Sequence, residues 1–569
     1  MKSFIVALLA AAALSGGVLL SIVSAQSGPA APQTLVLKTI QIDVSQPPKP
    51  GHRKAPIPFN RHFADPTSLD QVKAALASGN ESSVHQAHRK PTPTPTPTPK
   101  GTPTPKSTPT PTPAPTSTPT STPTPTPLTI SHGISNPVFI ATHFDAMGLL
   151  DGGGYEPPDT TVGAGSTFLL EAVNAFGTVY NRSGSALVNL NTTACTTNSS
   201  TDTVSDPRVL FDTASGRWFI STTTFSPIGD ASWNLLFSPG SDPTASSWNC
   251  LIIPTSSIRN PDGTTGNFAD FPKTGINGDK IVMTGDAFSP SGSSYKFEGT
   301  QFVVINKSEL LSLSSTLHVA LFPPNQGDFA IEPAQQPDST TEILYMAAVN
   351  SALTSTSSID VWAVSGVPTA TTSPTLKIAS LPIATISTPP NAQQSSTSVL
   401  IDTNDDSLLD AVFRSGSSGS LWVSANDACK APGDNTVRSC MRFINVAISA
   451  GMSIAQDFDY ADTGMYYYYP AIRTDKNGNL YTAFSGSSSN TYASAYAGMQ
   501  LFGNANVLTN LSMTRAGDSP YTISPPRWGD YSGSAVDPDD VSAWLGAEYA
   551  TSFIIIGPMW GTEIAHVHP

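Results

Sequence analysis

An all-β chain folded as a seven-bladed β-propeller, with six blades as the alternative, is what this 569-residue sequence predicts, behind a Pro/Thr-rich disordered stalk. Three observations carry the prediction. Beyond residue 127 the chain is rich in Ser, Thr, Gly, Val and aromatics. It is punctuated by turn dipeptides such as Asn277-Gly278, Asn477-Gly478 and Asp262-Gly263, and has hardly any long 3.6-residue period. Seven times it repeats a strand, a turn rich in Asp, Asn or Gly, and a second strand: "DTTVGAGSTFLLEAVNA", "DPRVLFDTASGRWFISTTT", "FPKTGINGDKIVMTGDAF", "PDSTTEILYMAAVN", "SVLIDTNDDSLLDAVFRSG", "YPAIRTDKNGNLYTAFSG" and "DYSGSAVDPDDVSAWLGAEYA". Finally, one strand is left over at each end, "NPVFIATHF" at 136–144 and "GTEIAHV" near the C-terminus, so the early strand can complete the last blade and remove an unpaired edge.

Taken in order, the chain opens with Lys2, an apolar run from Phe4 to Ile22 and the small-residue site Val23-Ser24-Ala25, the pattern of a signal peptide over 1–25. Cleavage there leaves no retained membrane span, and no cysteine follows the site to carry a lipid. Residues 26–90 form a basic, mostly disordered N-terminal arm with few aromatics; a short helix over 68–78 and anchoring to an anionic cell wall are its more structured readings. Residues 91–127 alternate Pro and Thr. Proline fixes φ and lacks an amide hydrogen, so this linker favours polyproline II and spans roughly 115 Å at about 3.1 Å per residue.

Residues 128–569 are the propeller domain. They exceed what one hydrophobic core usually fills, whereas a propeller packs each blade only on its neighbours, at about 63 residues per unit here. Four cysteines in an exported chain predict two disulfides, Cys429 with Cys440 across a short loop and, by remainder, Cys195 with Cys250. No C-x-x-C spacing or histidine cluster supports zinc. Of the 28 basic and 42 acidic residues, 11 and 4 precede residue 128, which leaves the domain 17 and 38, a net charge of −21. That balance repels phosphate backbones and excludes nucleic acid as a partner.

Aligned on their turns, the units place Pro158, Pro207, Pro272 and Pro470 at one shared position, suited to the first residue of a strand. Around it fall Glu156, Asp159, Asp206, Asp270, Tyr468, Tyr469, Asp530 and Tyr531, with Arg208 and Lys273 just after the proline and Arg527 and Trp528 in the last unit. Inner strands of a propeller begin on one face, so these groups are expected to ring the mouth of the channel. Two readings compete: carboxylates tied up in holding blade to blade, or a polar and aromatic pocket for sugar hydroxyls and sugar faces. Within the second, Asp159, Arg208, Lys273, Tyr468, Arg527 and Trp528 are ligand-binding candidates, and Asp206, Asp270, Asp530 and Tyr531 catalytic candidates for glycoside cleavage.

"EPPDTTVGAG", "SDPRVLFDTASGRWF", "DFPKTGINGD", "LLDAVFRSGSSGSLWVS" and "PPRWGDYSGSAVDP" resemble, in sequence order over 150–560, segments of large secreted bacterial proteins with sialidase-like propeller domains. The resemblance implies a fold and a compartment, and no settled activity. A sialidase clamps its substrate carboxylate with three arginines and uses a tyrosine nucleophile. Arg208, Arg473, Arg527 and Tyr531 supply the residue types, but the arginines do not match in register, and "DTASGRWF" only approaches the family's S-x-D-x-G-x-T-W turn.

"DTNDDSLLD" sets Asp402, Asn404, Asp406 and Asp410 at the 1, 3, 5 and 9 positions of a calcium loop, although Ser407 replaces the usual glycine and Phe413 the terminal acid; an Asp-rich turn explains it equally well. G-x-S-x-G, Walker and H-E-x-x-H motifs are missing. The expectation is therefore a monomeric extracellular or cell-surface binding module for glycan or surface polymer, requiring no cofactor and with calcium as the candidate ion. A glycoside hydrolase or lyase at the channel mouth, or a structural envelope protein, are the alternatives.

Overall fold

The computed structural model describes residues 36–41 and 128–569, apart from short stretches at 135, 197–201, 226–230, 261, 292–293, 326, 339–341, 350–354, 417–418, 450, 524–525 and 554–556. The signal segment, the candidate helix at 68–78 and the Pro-Thr stretch lie outside the described residues. Seven antiparallel sheets follow one another along the chain, each with four blade strands. Their inner strands are Thr161–Ala164, Thr203–Asp212, Phe268–Ile276, Glu332–Pro333, Leu408–Arg414, Tyr466–Thr474 and Gly533–Val536, numbered here as blades 1 to 7. Each inner strand packs against the next, and that of blade 7 against that of blade 1. The ring closes with seven blades.

Alternate side chains of each strand feed two different cores, which is why the polar-out alternation of an ordinary sheet is missing. Trp218 and Ile220 pack toward blade 1 beside Leu170 and Val179, while Phe219 between them packs toward blade 3 beside Ile281 and Val303. Seven such apolar layers lie between neighbouring blades, the last joining Val162 and Leu169 of blade 1 to Trp544 and Ile564 of blade 7. Where inner strands approach most closely, only glycine fits. A Cβ on Gly533 would sit 2.7 Å from the amide nitrogen of Val162, and one on Gly275 2.7 Å from the carbonyl oxygen of Ala334.

The early strand closes the ring as expected: Phe139–Gly148 pairs antiparallel with Gly557–His568 as the outer strand of blade 7. Two blades gain a fifth strand. Thr129–Ser131 runs parallel to the outer strand of blade 5, and Val36–Gln41, inside the arm expected to be mostly disordered, pairs antiparallel with the outer strand Ser247–Pro254 of blade 2. Both predicted disulfides are present, Cys195–Cys250 and Cys429–Cys440. No described helix is long and apolar enough to cross a membrane.

Two of the seven hairpins differ from the sequence reading. In blade 4 the inner strand is only Glu332–Pro333, and "EILYMAAV" is the second strand rather than part of an inner pair. In blade 5 "DTNDDS" precedes the inner strand Leu408–Arg414, and the hairpin turn falls after it, before Ser420–Cys429.

Candidate functional site

Pro207, Pro272 and Pro470 do not begin strands; they sit in bulges within them. Pairing slips between Ser205 and Arg208, between Asp270 and Lys273 and between Tyr468 and Ala471. Asp206-Pro207, Phe271-Pro272 and Tyr469-Pro470 are thus left out of the ladder, where proline has no hydrogen bond to forfeit. Six blades share a further signature just ahead of the inner strand or in its bulge, a non-glycine residue in the left-handed region: Asp159, Asp206, Phe271, Ala330, Asn404 and Tyr469, with φ between 50° and 60°. For Phe271 and Tyr469 that conformation costs roughly 1–2 kcal/mol each, offset by the packing it permits. Pro158 stands one residue before its left-handed partner, whereas the other three stand one after, so it is not their equivalent.

The bulges turn Arg208 and Lys273 inward. Lys273 Nζ lies 3.1 Å from Glu332 Oε2 and donates to the carbonyl oxygens of Ala330 (3.1 Å) and Leu408 (2.6 Å). Burial pulls the Lys273 ammonium down and pushes the Glu332 carboxyl up, each partner opposing the other's shift. The Arg208 guanidinium stacks 3.5 Å over the Tyr531 ring and reaches the Leu409 carbonyl, while Tyr531 donates to the carbonyl of Pro207 at 2.7 Å. Arg527 pairs with Asp530 at 2.5 Å, and Arg473 pairs with Asp410 at 2.7 Å.

These groups converge, yet not at an open mouth. Asp159, Asp206, Asp270, Arg208, Lys273, Tyr468, Arg527, Trp528, Asp530 and Tyr531 are all buried. An apolar cluster of Phe271, Phe329, Tyr468, Tyr469, Tyr521, Trp528 and Trp560 fills that end of the ring. Its polar tips are satisfied internally: Trp528 Nε1 donates to Ser485 Oγ (3.0 Å), Tyr468 to Ser487 Oγ (3.1 Å), and Tyr521 to the carbonyl of Arg527 (2.8 Å). Asp159, Asp206 and Asp530 bring carboxylate oxygens within 4.8 Å of one another.

The candidate calcium loop is drawn apart. Asp410 accepts from Arg473, from the Ile472 amide and from Ser534; Asp406 accepts from Thr388; and Asn404 Nδ2 donates to Asp530 at 3.2 Å. Asp402, Asp406 and Asp410 are not among the described carboxylates that converge.

The opposite end of the channel is open. A cavity open to solvent lies where the inner strands finish. Phe211, Pro337 and Val536 stand partly exposed on its rim and Thr213 exposed, with Gln335 between them. Gln335 is held by its backbone between blades 3 and 5, where its amide donates to Ala411 and its carbonyl accepts from Phe413. Its side chain forms no hydrogen bond with the described residues. The charges beside it are already matched, Asp212 by Lys307 at 2.8 Å and Arg473 by Asp410. Neither Gln335 nor the buried Glu548 of blade 7 stood out in the sequence, although Glu548 is an acid inside the apolar run "LGAEYA", an unusual placement for a strand buried on both faces.

No family profile and no curated protein matches the chain. Among solved structures it is similar to a protein of unknown function from Dyadobacter fermentans (9% identity, TM-score 0.36, covering 64% of this chain and 94% of that one). It is also similar to the Hadza microbial sialidase Hz136 (10% identity, TM-score 0.35, covering 72% and 74%). A third is an endo-1,5-α-L-arabinanase from Thermotoga petrophila (8% identity, TM-score 0.25, covering 72% and 98%). The neighbours thus include sialidases and other glycan-active proteins at low identity, a likeness too distant to carry chemistry across.

Burial also sets a pH dependence. It pushes Glu171 and Asp328 up to about 7 and Glu563 up to about 8; Asp360 adds to the rise at Asp328, while Thr514 opposes it at Glu563. Each of these folded carboxyls keeps a proton that the unfolded chain releases near about pH 4.5, so its contribution is full below that pH and is lost as pH rises through 7 to 8. Thermal melts are therefore expected to show a Tm several degrees higher at pH 5.5 than at 8.5, with Glu171→Gln reducing the difference. A Tm that climbs across this interval would contradict the assignment.

Proposed function

We propose that the chain is an extracellular binding module that takes a neutral, hydroxyl-rich polymer, a glycan, at the open end of its channel. The observation that supports this most directly is the Gln335 cavity. It offers an amide not used by the fold, the hydroxyl of Thr213, and an apolar rim of Phe211, Pro337 and Val536, the combination that suits sugar hydroxyls and sugar faces. Its charged neighbours are internally paired, which favours an uncharged ligand over a phosphate or a sialate. The two disulfides fit an oxidising compartment.

Glycoside cleavage is the weaker reading. Asp206, Asp270 and Asp530, its carboxylate candidates, are sealed beneath aromatic side chains, whereas hydrolysis needs two carboxyls facing a substrate. A purely structural role draws support from that same filled end. A neutral-polysaccharide array separates these readings: the binding module is expected to be retained, and Gln335→Ala to weaken retention about tenfold, the loss of one or two well-placed hydrogen bonds. No retention of the native chain, or equal retention of the variant, overturns the proposed site. Turnover lost in Asp270→Asn would establish the enzyme instead.

A further inference from the structure

We propose that the filled end of the propeller holds one hard divalent cation of calcium's class, bound by Asp159, Asp206 and Asp530, with the carboxyl of Glu548 beside the set. The first three come from blades 1, 2 and 7, have no exposed surface, and bring carboxylate oxygens within 4.8 Å of one another. Two ligands facing each other across calcium at 2.3–2.6 Å are about 5 Å apart, against about 4.2 Å across magnesium. Every candidate donor is oxygen, which disfavours zinc and copper.

The internal donors around these oxygens hold the carboxylates in place. The Asp530 amide donates to Asp159 Oδ1 at 3.0 Å, Ser205 to Asp206 at 2.6 Å, and Arg527 to Asp530 at 2.5 Å. Arg208, the other guanidinium close by, is stacked on Tyr531 and also serves Glu332.

Glu548 points to the ligand independently. It is buried on the second strand of blade 7, its Oε1 is sealed from solvent with no hydrogen-bond partner among the described residues, and its other oxygen lies 3.1 Å from where a Cβ on Gly529 would stand, beside Asp530. The charged groups that act on it are Asp159, Glu156 and Asp530, all acidic. A buried carboxylate surrounded only by like charges is costly unless a cation completes the set. Asn404 brings the loop expected to bind calcium to the edge of this cluster, as a donor to Asp530 rather than as a ligand.

The test uses the full chain. After expression with calcium present and desalting into chelator-treated buffer, elemental analysis is expected to find about one equivalent of calcium, and refolding in EDTA rather than calcium to lower Tm by several degrees. Glu548→Gln, which keeps size and burial, is expected to release the ion at least about tenfold faster, and Asp159→Asn/Asp206→Asn to hold none. Should a mutant not fold, the metal content and refolding of the native chain decide alone. A native chain without stoichiometric metal and with equal Tm in calcium and EDTA overturns the site, as does full occupancy in the double variant.

Discussion

Deletion of residues 128–148 is expected to abolish the folded propeller, whereas deletion of 26–127 leaves it folded. The first removes Phe139–Gly148, the outer strand of blade 7, and exposes the twelve-residue edge of Gly557–His568 to solvent and to other chains. It also removes the strand that hydrogen-bonds the N-terminal side of the domain into its C-terminal blade. Met147 lies in the apolar cluster at the filled end, and its amide donates to Glu171 Oε2 and Thr562 Oγ1, acceptors that would otherwise be buried with fewer donors. The combined loss exceeds about 5 kcal/mol, the lower end of a domain's whole stability. The second deletion removes only Val36–Gln41 from the described structure, a strand added outside a blade that already has four. Circular dichroism and gel filtration distinguish the two; a soluble, cooperatively melting product of the first deletion would mean that strand closure is dispensable.

Arg442→Met is expected to cost about 3–5 kcal/mol at neutral pH, the toll of stranding buried charge. Arg442, fully buried in blade 5, lies 2.7 Å from Asp457 and 3.3 Å from both Asp427 and Asp459, and donates to the carbonyl of Ala384. Without it three carboxylates face one another. Even with Arg442 present, burial pushes Asp427 well up and Asp459 up to about 6. The folded variant then keeps protons that the unfolded chain has released, so its deficit should shrink between pH 7.5 and 5 as those carboxyls protonate in the folded state ahead of the unfolded one. Denaturant melts at the two pH values measure this, and a deficit under about 1 kcal/mol at pH 7.5 would show that the triad is not held by the arginine.

The ring and its closure were legible because turn chemistry is local. "DTASGRW", "NGDK" and "KNGN" place glycine where each hairpin reverses, and the strands beside them are long enough to show a period. Blades 4 and 5 failed for two different reasons. Glu332–Pro333 is too short to carry any pattern, and Leu408–Arg414 has turn signals on both sides, "TNDDS" before and "SGSSG" after, with nothing to say which one the chain folds back on.

At the site, the convergence of Asp159, Asp206, Arg208, Lys273 and Asp530 could be read from their shared place in the repeat. Their burial could not, because the segments that cover them, around Tyr521 and Trp528, have no repeating counterpart. Gln335 escaped notice for a related reason, since its position depends on a backbone threaded between two other blades.

The two added strands have a mechanical consequence. Val36–Gln41 is fastened to blade 2 and Thr129–Ser131 to blade 5, so the chain leaves the ring at one blade and rejoins it at the other. Tension applied ahead of Val36 would load blade 2 first and would have to unzip a six-residue ladder before it reached blade 5. The strand would work as a fuse for the ring.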